Sequence, residues 1–217
     1  MTKNQMLRDL LGGQTVLPIM TVRSEEVGLR IAESLLAGGL AVMEITLRTA
    51  QGLAAITAIR RRCPEMTIGA GTLVRPEDFD RAATAGAQFA VSPGLDGPLA
   101  DAALKSSLPF LPGVQTASEI MVAVGRGFTT LKFYPARAAG GPTVLADFAS
   151  IFPEVVFVPT GKIAPADIPD YFALKNVLAV GGSWVTPADK VAAQDWTGIT
   201  ELARRVSHLR TAEVNGR

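Results

Sequence analysis

A lysine at position 132 lies within a strand-like run of the sequence, LKFYP. Side chains alternate between the two faces of a strand, so Lys132 shares one face with Thr130 and Tyr134. The apolar side chains of Leu131 and Phe133 occupy the other face. A lysine on an inward face is costly unless it is paired, neutralised or used. Because a desolvated lysine can lose its proton and attack a ketone to form a Schiff base, Lys132 is a candidate nucleophile.

Two more charged residues fall in the run VMEITLR, which begins at Val42. Alternation places Glu44 and Arg48 on the inward face, with Arg48 nearer the end of the strand. Functional groups of parallel α/β barrels gather at the carboxyl ends of the strands, so both residues are candidates. Two structural alternatives stay open: an internal Glu44–Arg48 ion pair, or a Lys132 that only pairs with Glu44.

Glycine-rich turns follow several of the other strand-like runs. GAGT ends at Thr72, whose hydroxyl could face a substrate, although glycine at a strand end is often only a bend. SPG, which contains Pro93, is typical of a turn. The turns at 160–162 (TGK) and 181–183 (GGS) follow the last two runs, where this kind of fold often binds phosphate on backbone N–H groups. Unoccupied strand-to-helix turns are the alternative interpretation.

Composition excludes several classes of function. The 21 basic and 20 acidic residues leave a net charge of +1, so no electrostatic argument favours nucleic acid or an anionic membrane as a partner. A single histidine, His208, and a single cysteine, Cys63, exclude a histidine-rich zinc site and a disulfide within the chain, and they make a Ser-His-Asp triad improbable. The sequence shows neither a signal peptide nor an apolar run of membrane-spanning length, so we expect a cytoplasmic protein.

Eight strand-like runs recur along the chain and alternate with helical segments. They begin near positions 16, 41, 67, 89, 109, 130, 155 and 177. This rhythm predicts a parallel α/β sheet, and eight units predict a single (β/α)8 TIM barrel domain over residues 1–217, with an extra N-terminal helix at 2–12 and a frayed end at 211–217. A doubly wound open sheet is the competing fold, but it would show a glycine-rich turn after the first strand, and 16–23 has none.

Taken together, these motifs resemble the bacterial 2-keto-3-deoxy-6-phosphogluconate (KDPG) aldolases. The motifs that carry the resemblance are LPIM at 17–20, EITLR at 44–48, GAGT at 69–72, SPG at 92–94, KFYPA at 132–136, PTG at 159–161 and GGSW at 181–184. Their order and spacing match over almost the whole chain. Any one of them alone would be weak evidence.

The resemblance implies a class I aldolase of the Entner–Doudoroff pathway, usually a homotrimer, that needs neither a metal nor a cofactor. It implies that Lys132 forms the Schiff base and that Glu44 is the general acid and base. Arg48 and Thr72 would bind the pyruvate carboxylate, and Thr160 would influence stereochemical preference. The remaining residues implied in substrate binding, several of them at the phosphate, are Pro93, Gly161, Lys162, Gly181, Gly182 and Ser183.

One position departs from the family pattern. The family usually has PTGG after the seventh strand, and this chain has Lys162 where the second glycine stands. The lost glycine could restrict the backbone that donates to phosphate, the new ammonium could strengthen phosphate binding, or the lysine could be a second amine near the pocket. If Lys162 points away from the pocket, the change is neutral.

The resemblance predicts cleavage of 2-dehydro-3-deoxy-6-phosphogluconate to pyruvate and D-glyceraldehyde 3-phosphate. The same chemistry on the galactonate epimer or on 4-hydroxy-2-oxoglutarate is an alternative for the substrate. Two readings of another class are a phosphosugar isomerase or epimerase, with Glu44 as base and no covalent adduct, and a non-catalytic oligomeric scaffold. A scaffold has no need to keep Glu44, Arg48, Thr72 and Lys132 together.

Overall fold

Parallel strands alternate with helices in a computed structural model that describes residues 1–207 and 209. The strands are β1 (Val16–Met20), β2 (Val42–Thr46), β3 (Thr67–Gly71), β4 (Phe89–Val91), β5 (Phe110–Leu111), β6 (Gly113–Val114), β7 (Thr130–Phe133), β8 (Val156–Pro159) and β9 (Val180–Gly182). The helices are α1 (Lys3–Leu11), α2 (Glu25–Ala37), α3 (Gln51–Arg62), α4 (Asp78–Ala85), α5 (Gly97–Lys105), α6 (Ala117–Gly125), α7 (Gly141–Ile151), α8 (Ile168–Phe172), α9 (Ala188–Ala192) and α10 (Trp196–Ser207), with a short 3-10 turn at Pro165–Asp167. The single histidine, His208, and the predicted frayed end at 211–217 lie outside the described residues.

The strands form a curled parallel sheet in two parts. Six strands pair in the order β5-β4-β3-β2-β1-β9, and three pair in the order β6-β7-β8. Every strand pair among the described residues is parallel, which confirms the predicted α/β class. Isolated parallel bridges join Phe157 to Val177 and Thr160 to Gly181, so β8 also lies beside β9.

The fifth strand-like run divides between the two parts of the sheet. Pro112 separates β5 from β6 because proline has no N–H to donate to a ladder. β5 pairs with β4, whereas β6 pairs with β7. The carbonyl of Pro112 still accepts a hydrogen bond from the N–H of Lys132, at 2.8 Å. The expected single fifth strand is therefore two short strands that belong to different parts of the sheet.

Local sequence signals account for several helix ends. The hydroxyl of Ser24 accepts a hydrogen bond from the N–H of Val27 and caps α2, as its polar start predicts. Thr116 and Glu119 form a capping box at the start of α6. Burial acts to raise the pKa of Glu119, but hydrogen bonds from the backbone N–H groups of Gln115 and Thr116 hold it below its ordinary value.

Two apolar layers lie on the two faces of the sheet. Met43 and Ile45, on the outward face of β2, belong to the larger core between the sheet and the helices. A smaller inner cluster contains Leu7, Leu11, Leu17, Val42, Phe89, Val91, Leu111 and Val158. Val42 also shares the inward face of β2 with Glu44, as alternation predicts.

Helix α1 covers the amino-terminal ends of the strands. The guanidinium of Arg8 donates to the carbonyls of Thr129 and Glu154, just before β7 and β8. Leu7 and Leu11 pack into the inner cluster from the same end. The predicted extra helix is confirmed. Because α1 covers the amino-terminal ends of the strands, a binding site is expected at the opposite, carboxyl ends. Within the described part of the chain, no helix is long and apolar enough to cross a membrane.

We expect Leu7→Ala to lower the free energy of unfolding by about 2–4 kcal/mol, because it opens a cavity beneath the inner cluster. The measurement is urea unfolding followed by circular dichroism. Leu104→Ala is the matched control, since the side chain of Leu104 is 51% exposed, and we expect it to change stability by less than about 0.5 kcal/mol. Equal effects of the two substitutions would contradict a role for α1 in closing this end.

Candidate active site

A buried ion pair joins Lys132 of β7 to Glu44 of β2. The Nζ of Lys132 lies 3.4 Å from both Oε1 and Oε2 of Glu44. The two residues are 7% and 1% exposed, so neither charge is compensated by bulk water. Each ion needs the other, because an unpaired buried charge is strongly destabilising. The pair places an amine and a proton acceptor at hydrogen-bonding distance, which nucleophilic catalysis by an amine requires.

Glu44 pairs with Lys132 rather than with Arg48, so the alternative of a Glu44–Arg48 ion pair is wrong. β2 ends at Thr46, and Arg48 lies in the turn beyond it with an exposed side chain. Arg48 forms no ion pair with any residue in 1–207 or 209. Its guanidinium is therefore available to a ligand at the carboxyl ends of the strands.

Gly71 leaves the space that the carboxylate of Glu44 occupies. In β3, Gly71 pairs with Thr46 and Gly69 pairs with Glu44. A Cβ atom built on Gly71 would overlap Oε1 of Glu44. The glycine of GAGT is thus required by close approach of a catalytic candidate and not only by a bend in the strand.

A cleft of about 250 Å³ opens at the carboxyl ends of β1, β2, β8 and β9. The predicted site residues that line it are Arg48, Thr160, Gly161, Lys162, Gly181, Gly182 and Ser183. The other lining residues are Ile19, Met20, Thr21, Thr46, Tyr134, Ile163 and Trp184. Arg48 and Lys162 are the cations of this lining, which contains no Asp or Glu. The cleft is therefore suited to an anionic ligand.

The Lys132–Glu44 pair lies one step deeper than the cleft on the same inward face. Thr46 lines the cleft, and Glu44 precedes it by two residues on β2. Tyr134 also lines the cleft, and Lys132 precedes it by two residues, with Nζ 5.8 Å from the centre of the tyrosine ring. Two strand residues span about 6.6 Å, so the pair lies within reach of a small molecule that enters between these side chains.

Two turns meet at the side of the cleft formed by β8 and β9. Thr160 and Gly181 form a parallel bridge, and a Cβ atom on Gly181 would overlap Oγ1 of Thr160. Gly161 has a φ of 117°, a conformation that L-residues with side chains rarely adopt. With Gly182 and Ser183 beside them, these turns form a wall of the cleft with little side-chain bulk, which suits a phosphate held by backbone groups.

Lys162 lines the cleft with an exposed side chain and does not lie away from it. Its φ is 54°, in the left-handed region. That conformation is uncommon for any residue with a Cβ atom. Thr72 shares this property, with a φ of 63° immediately after β3. Strained backbone of this kind clusters at functional sites.

Thr72 and Pro93 are not among the residues that line the cleft. Thr72 is half-buried and follows Gly71, on which a Cβ atom would overlap the Glu44 carboxylate. Pro93 lies in a compact turn in which the hydroxyl of Ser92 donates to the carbonyl of Gly94, as the turn interpretation predicts. The proposed binding roles of Thr72 and Pro93 stay predictions.

Sequence reasoning did not assign a role to several lining residues. Thr46 and Tyr134 share faces with Glu44 and Lys132, so alternation could have found them. The hydroxyl of Thr21 lies 2.7 Å from that of Thr46, and no local pattern signals this contact. The Nε1 of Trp184 is buried without a hydrogen-bond partner among the described residues. No group of three His, Cys, Asp or Glu residues in 1–207 and 209 is arranged to hold a metal.

Comparison with known proteins gives concordant matches over most of the chain. The family model for KDPG and KHG aldolases matches residues 7–202. The KHG/KDPG aldolase of Escherichia coli is 46% identical over 87% of this chain and 89% of its own length. The 2-dehydro-3-deoxy-phosphogluconate aldolase of Pseudomonas aeruginosa is 44% identical over 87% of this chain and 86% of its own length.

A solved structure also matches over most of the chain. It is a KDPG aldolase from Legionella pneumophila with pyruvate captured at low pH as a covalent carbinolamine intermediate. It superposes with a TM-score of 0.89 and 40% identity, covering 92% of this chain and 97% of that one.

We expect Lys132→Met to lower the free energy of unfolding by about 3 kcal/mol, because it leaves the Glu44 carboxylate buried and unpaired. Glu44→Gln should destabilise the protein for the converse reason. The double variant should be more stable than the sum of the single effects predicts, by at least about 1 kcal/mol. Urea unfolding of the four proteins measures this coupling energy, and strictly additive effects would contradict a direct interaction.

Proposed function

Because the chain belongs to the KDPG and KHG aldolase family, we propose that it is a class I aldolase, a lyase that cleaves 2-dehydro-3-deoxy-6-phosphogluconate to pyruvate and D-glyceraldehyde 3-phosphate. The observation that carries this proposal is the buried Lys132–Glu44 pair beneath a cleft lined by two cations. The covalent pyruvate carbinolamine in the Legionella pneumophila relative supports a Schiff-base mechanism in this family.

Lys132 attacks as a neutral amine, after its ammonium has given up a proton. Glu44 can take the ammonium proton, since its oxygens lie 3.4 Å from Nζ. The free electron pair of Nζ then bonds to C2 of the substrate ketone, and the oxygen is protonated to give a carbinolamine. Loss of water leaves a protonated imine, which withdraws electrons from the neighbouring carbon–carbon bond.

Glu44 carries protons in the later steps. Its carboxylate removes the proton of the C4 hydroxyl, directly or through water. The C3–C4 bond then breaks, its electron pair passes to the imine as an enamine, and glyceraldehyde 3-phosphate leaves. The enamine takes a proton at C3, and hydrolysis releases pyruvate and restores the Lys132 amine.

Substrate binding divides between the two sides of the cleft. We assign the carboxylate of the substrate to Arg48, with Thr72 beside it, and the phosphate to the turns that contain Gly161, Gly182 and Ser183. Thr160 would contact the substrate near its stereocentres. Pro93, Lys162 and Gly181 complete the proposed set, in which Thr72 and Pro93 rest on the family pattern alone. Holding both ends lowers the entropic cost of aligning C2 with Nζ.

We also propose that residues 1–217 are one closed (β/α)8 barrel domain. The fifth run contributes β5 to one part of the sheet and β6 to the other. The bridge between Thr160 and Gly181 links the remaining ends, β8 and β9. The homotrimer and the cytoplasmic location stay predictions, the first from the family pattern and the second from the sequence.

Borohydride trapping tests the proposed mechanism. We expect the protein incubated with pyruvate and sodium borohydride to gain the mass of a reduced pyruvyl group, mapped to Lys132 by peptide mass spectrometry. Lys132→Met is the control and should gain no adduct. An adduct on Lys162 would move the nucleophile to the neighbouring strand. A folded protein without any adduct would contradict a class I aldolase and favour an isomerase or a scaffold.

Glu44→Gln should lower kcat by about 10²–10⁴-fold, because a positioned general acid–base group contributes that much to rate. We expect KM to change by only a few-fold, since Arg48 and the turns hold the substrate. Release of pyruvate in a coupled assay measures both constants. Glu65→Gln, at an exposed glutamate, is the matched control and should behave as the unchanged protein. An unchanged kcat in Glu44→Gln would remove Glu44 from the mechanism.

A further inference from the structure

Lys162 adopts a backbone conformation that a glycine would adopt without strain. Its φ of 54° is in the left-handed region, where a Cβ atom approaches the carbonyl oxygen. The resemblance to the family leads us to expect glycine at this position. The side chain of Lys162 is therefore carried at the wall of the cleft at a local conformational cost, and costs of this kind cluster at functional sites.

The ammonium of Lys162 has no partner of its own among the described residues. No hydrogen bond or ion pair from its Nζ is formed within 1–207 and 209. Asp167 is the next acidic residue after Lys162 in the sequence. Its carboxylate accepts a hydrogen bond from the N–H of Ala164, and its Oδ2 lies 4.0 Å from the guanidinium of Arg137. No acidic side chain lines the cleft, so the Lys162 charge is left for a ligand.

The two cations of the cleft lie on opposite sides of it. Arg48 follows β2, and Lys162 follows β8. In the sheet, β1 and β9 lie between these two strands. Lys162 adjoins Gly161 and shares its side of the cleft with Gly182 and Ser183. A ligand with an anionic group at each end matches this arrangement, with one cation for each group.

We propose that Lys162 is a specificity-determining residue that selects substrates with a terminal phosphate by binding that phosphate through its ammonium. This inference rests on the proposed function and adds a chain-specific cation to the backbone donors of the two turns. A lysine contributes a flexible point charge, so its effect falls on substrate binding and is weakened by salt. Because the terminal phosphate is remote from the reacting carbons of the substrate, we expect the effect of Lys162 on KM to exceed its effect on kcat.

The experiment compares two substrates that differ only in the phosphate, 2-keto-3-deoxy-6-phosphogluconate and 2-keto-3-deoxygluconate. We expect Lys162→Gly and Lys162→Met to lower kcat/KM for the phosphorylated substrate about tenfold or more, mostly through KM, because a charge-assisted hydrogen bond contributes about that much. Both variants should leave kcat/KM for the unphosphorylated substrate within about twofold. Lys162→Arg should retain most of the preference.

Inorganic phosphate provides a second readout that does not depend on turnover of the sugar acid. As a competitive inhibitor it should bind several-fold more weakly to Lys162→Met than to the unchanged protein, and the difference should shrink at high salt. Lys175→Met is the matched control, because it removes an exposed lysine that does not line the cleft. It should alter neither constant.

The outcomes separate this inference from the proposed function. If the unchanged protein cleaves both substrates and Lys162→Met lowers kcat/KM for both equally, the role of Lys162 is structural and the inference is wrong. The inference is also wrong if neither variant changes the phosphate preference. A protein that neither releases pyruvate nor forms a trapped adduct contradicts the aldolase function itself. Lys162→Gly removes the left-handed strain and Lys162→Met retains it, so agreement between them assigns the effect to the ammonium.

Discussion

The buried ion pair between Lys132 and Glu44 constrains the inner face of the sheet. Because both charged groups are buried, each must have the other as its partner. Both carboxylate oxygens of Glu44 lie 3.4 Å from Nζ of Lys132. A neighbouring position accommodates that contact. Gly71 has no side chain beside the carboxylate, where a Cβ atom would overlap Oε1 of Glu44. The same contact that satisfies the charges places a base beside a nucleophile.

Layers along the inner face determine where chemistry can occur. Leu7 and Leu11 of α1 pack against the apolar inner cluster and cover the amino-terminal ends of the strands. The ion pair lies above this cluster, and the cleft lies above the pair. Because one end is filled with apolar side chains, a ligand has access to the amine only from the carboxyl ends. The polar residues at that rim therefore determine which ligand is admitted.

The rim combines two ways to recognise anions. The turns at Gly161 and Gly182 line the cleft and can offer backbone groups, which β8 and β9 hold in place. Arg48 and Lys162 add charges on longer side chains from opposite sides. Lys162 does so in a left-handed conformation that is more common for glycine. The same left-handed backbone at position 162 therefore suits the glycine of the family pattern and, in this chain, carries the side chain of Lys162 to the cleft.

The sequence by itself determined the strand-like runs, the inward face shared by Val42 and Glu44, the helix caps and the family motifs, because each depends on residues close together in the chain. Only the tertiary structure decided that Glu44 pairs with Lys132, 88 residues away, and not with Arg48. It also decided that Pro112 divides the fifth run and that Thr21 and Trp184 line the cleft. Periodicity assigns a side chain to a face, but the partner it meets there depends on strand register and on close packing between distant segments, which no local pattern encodes.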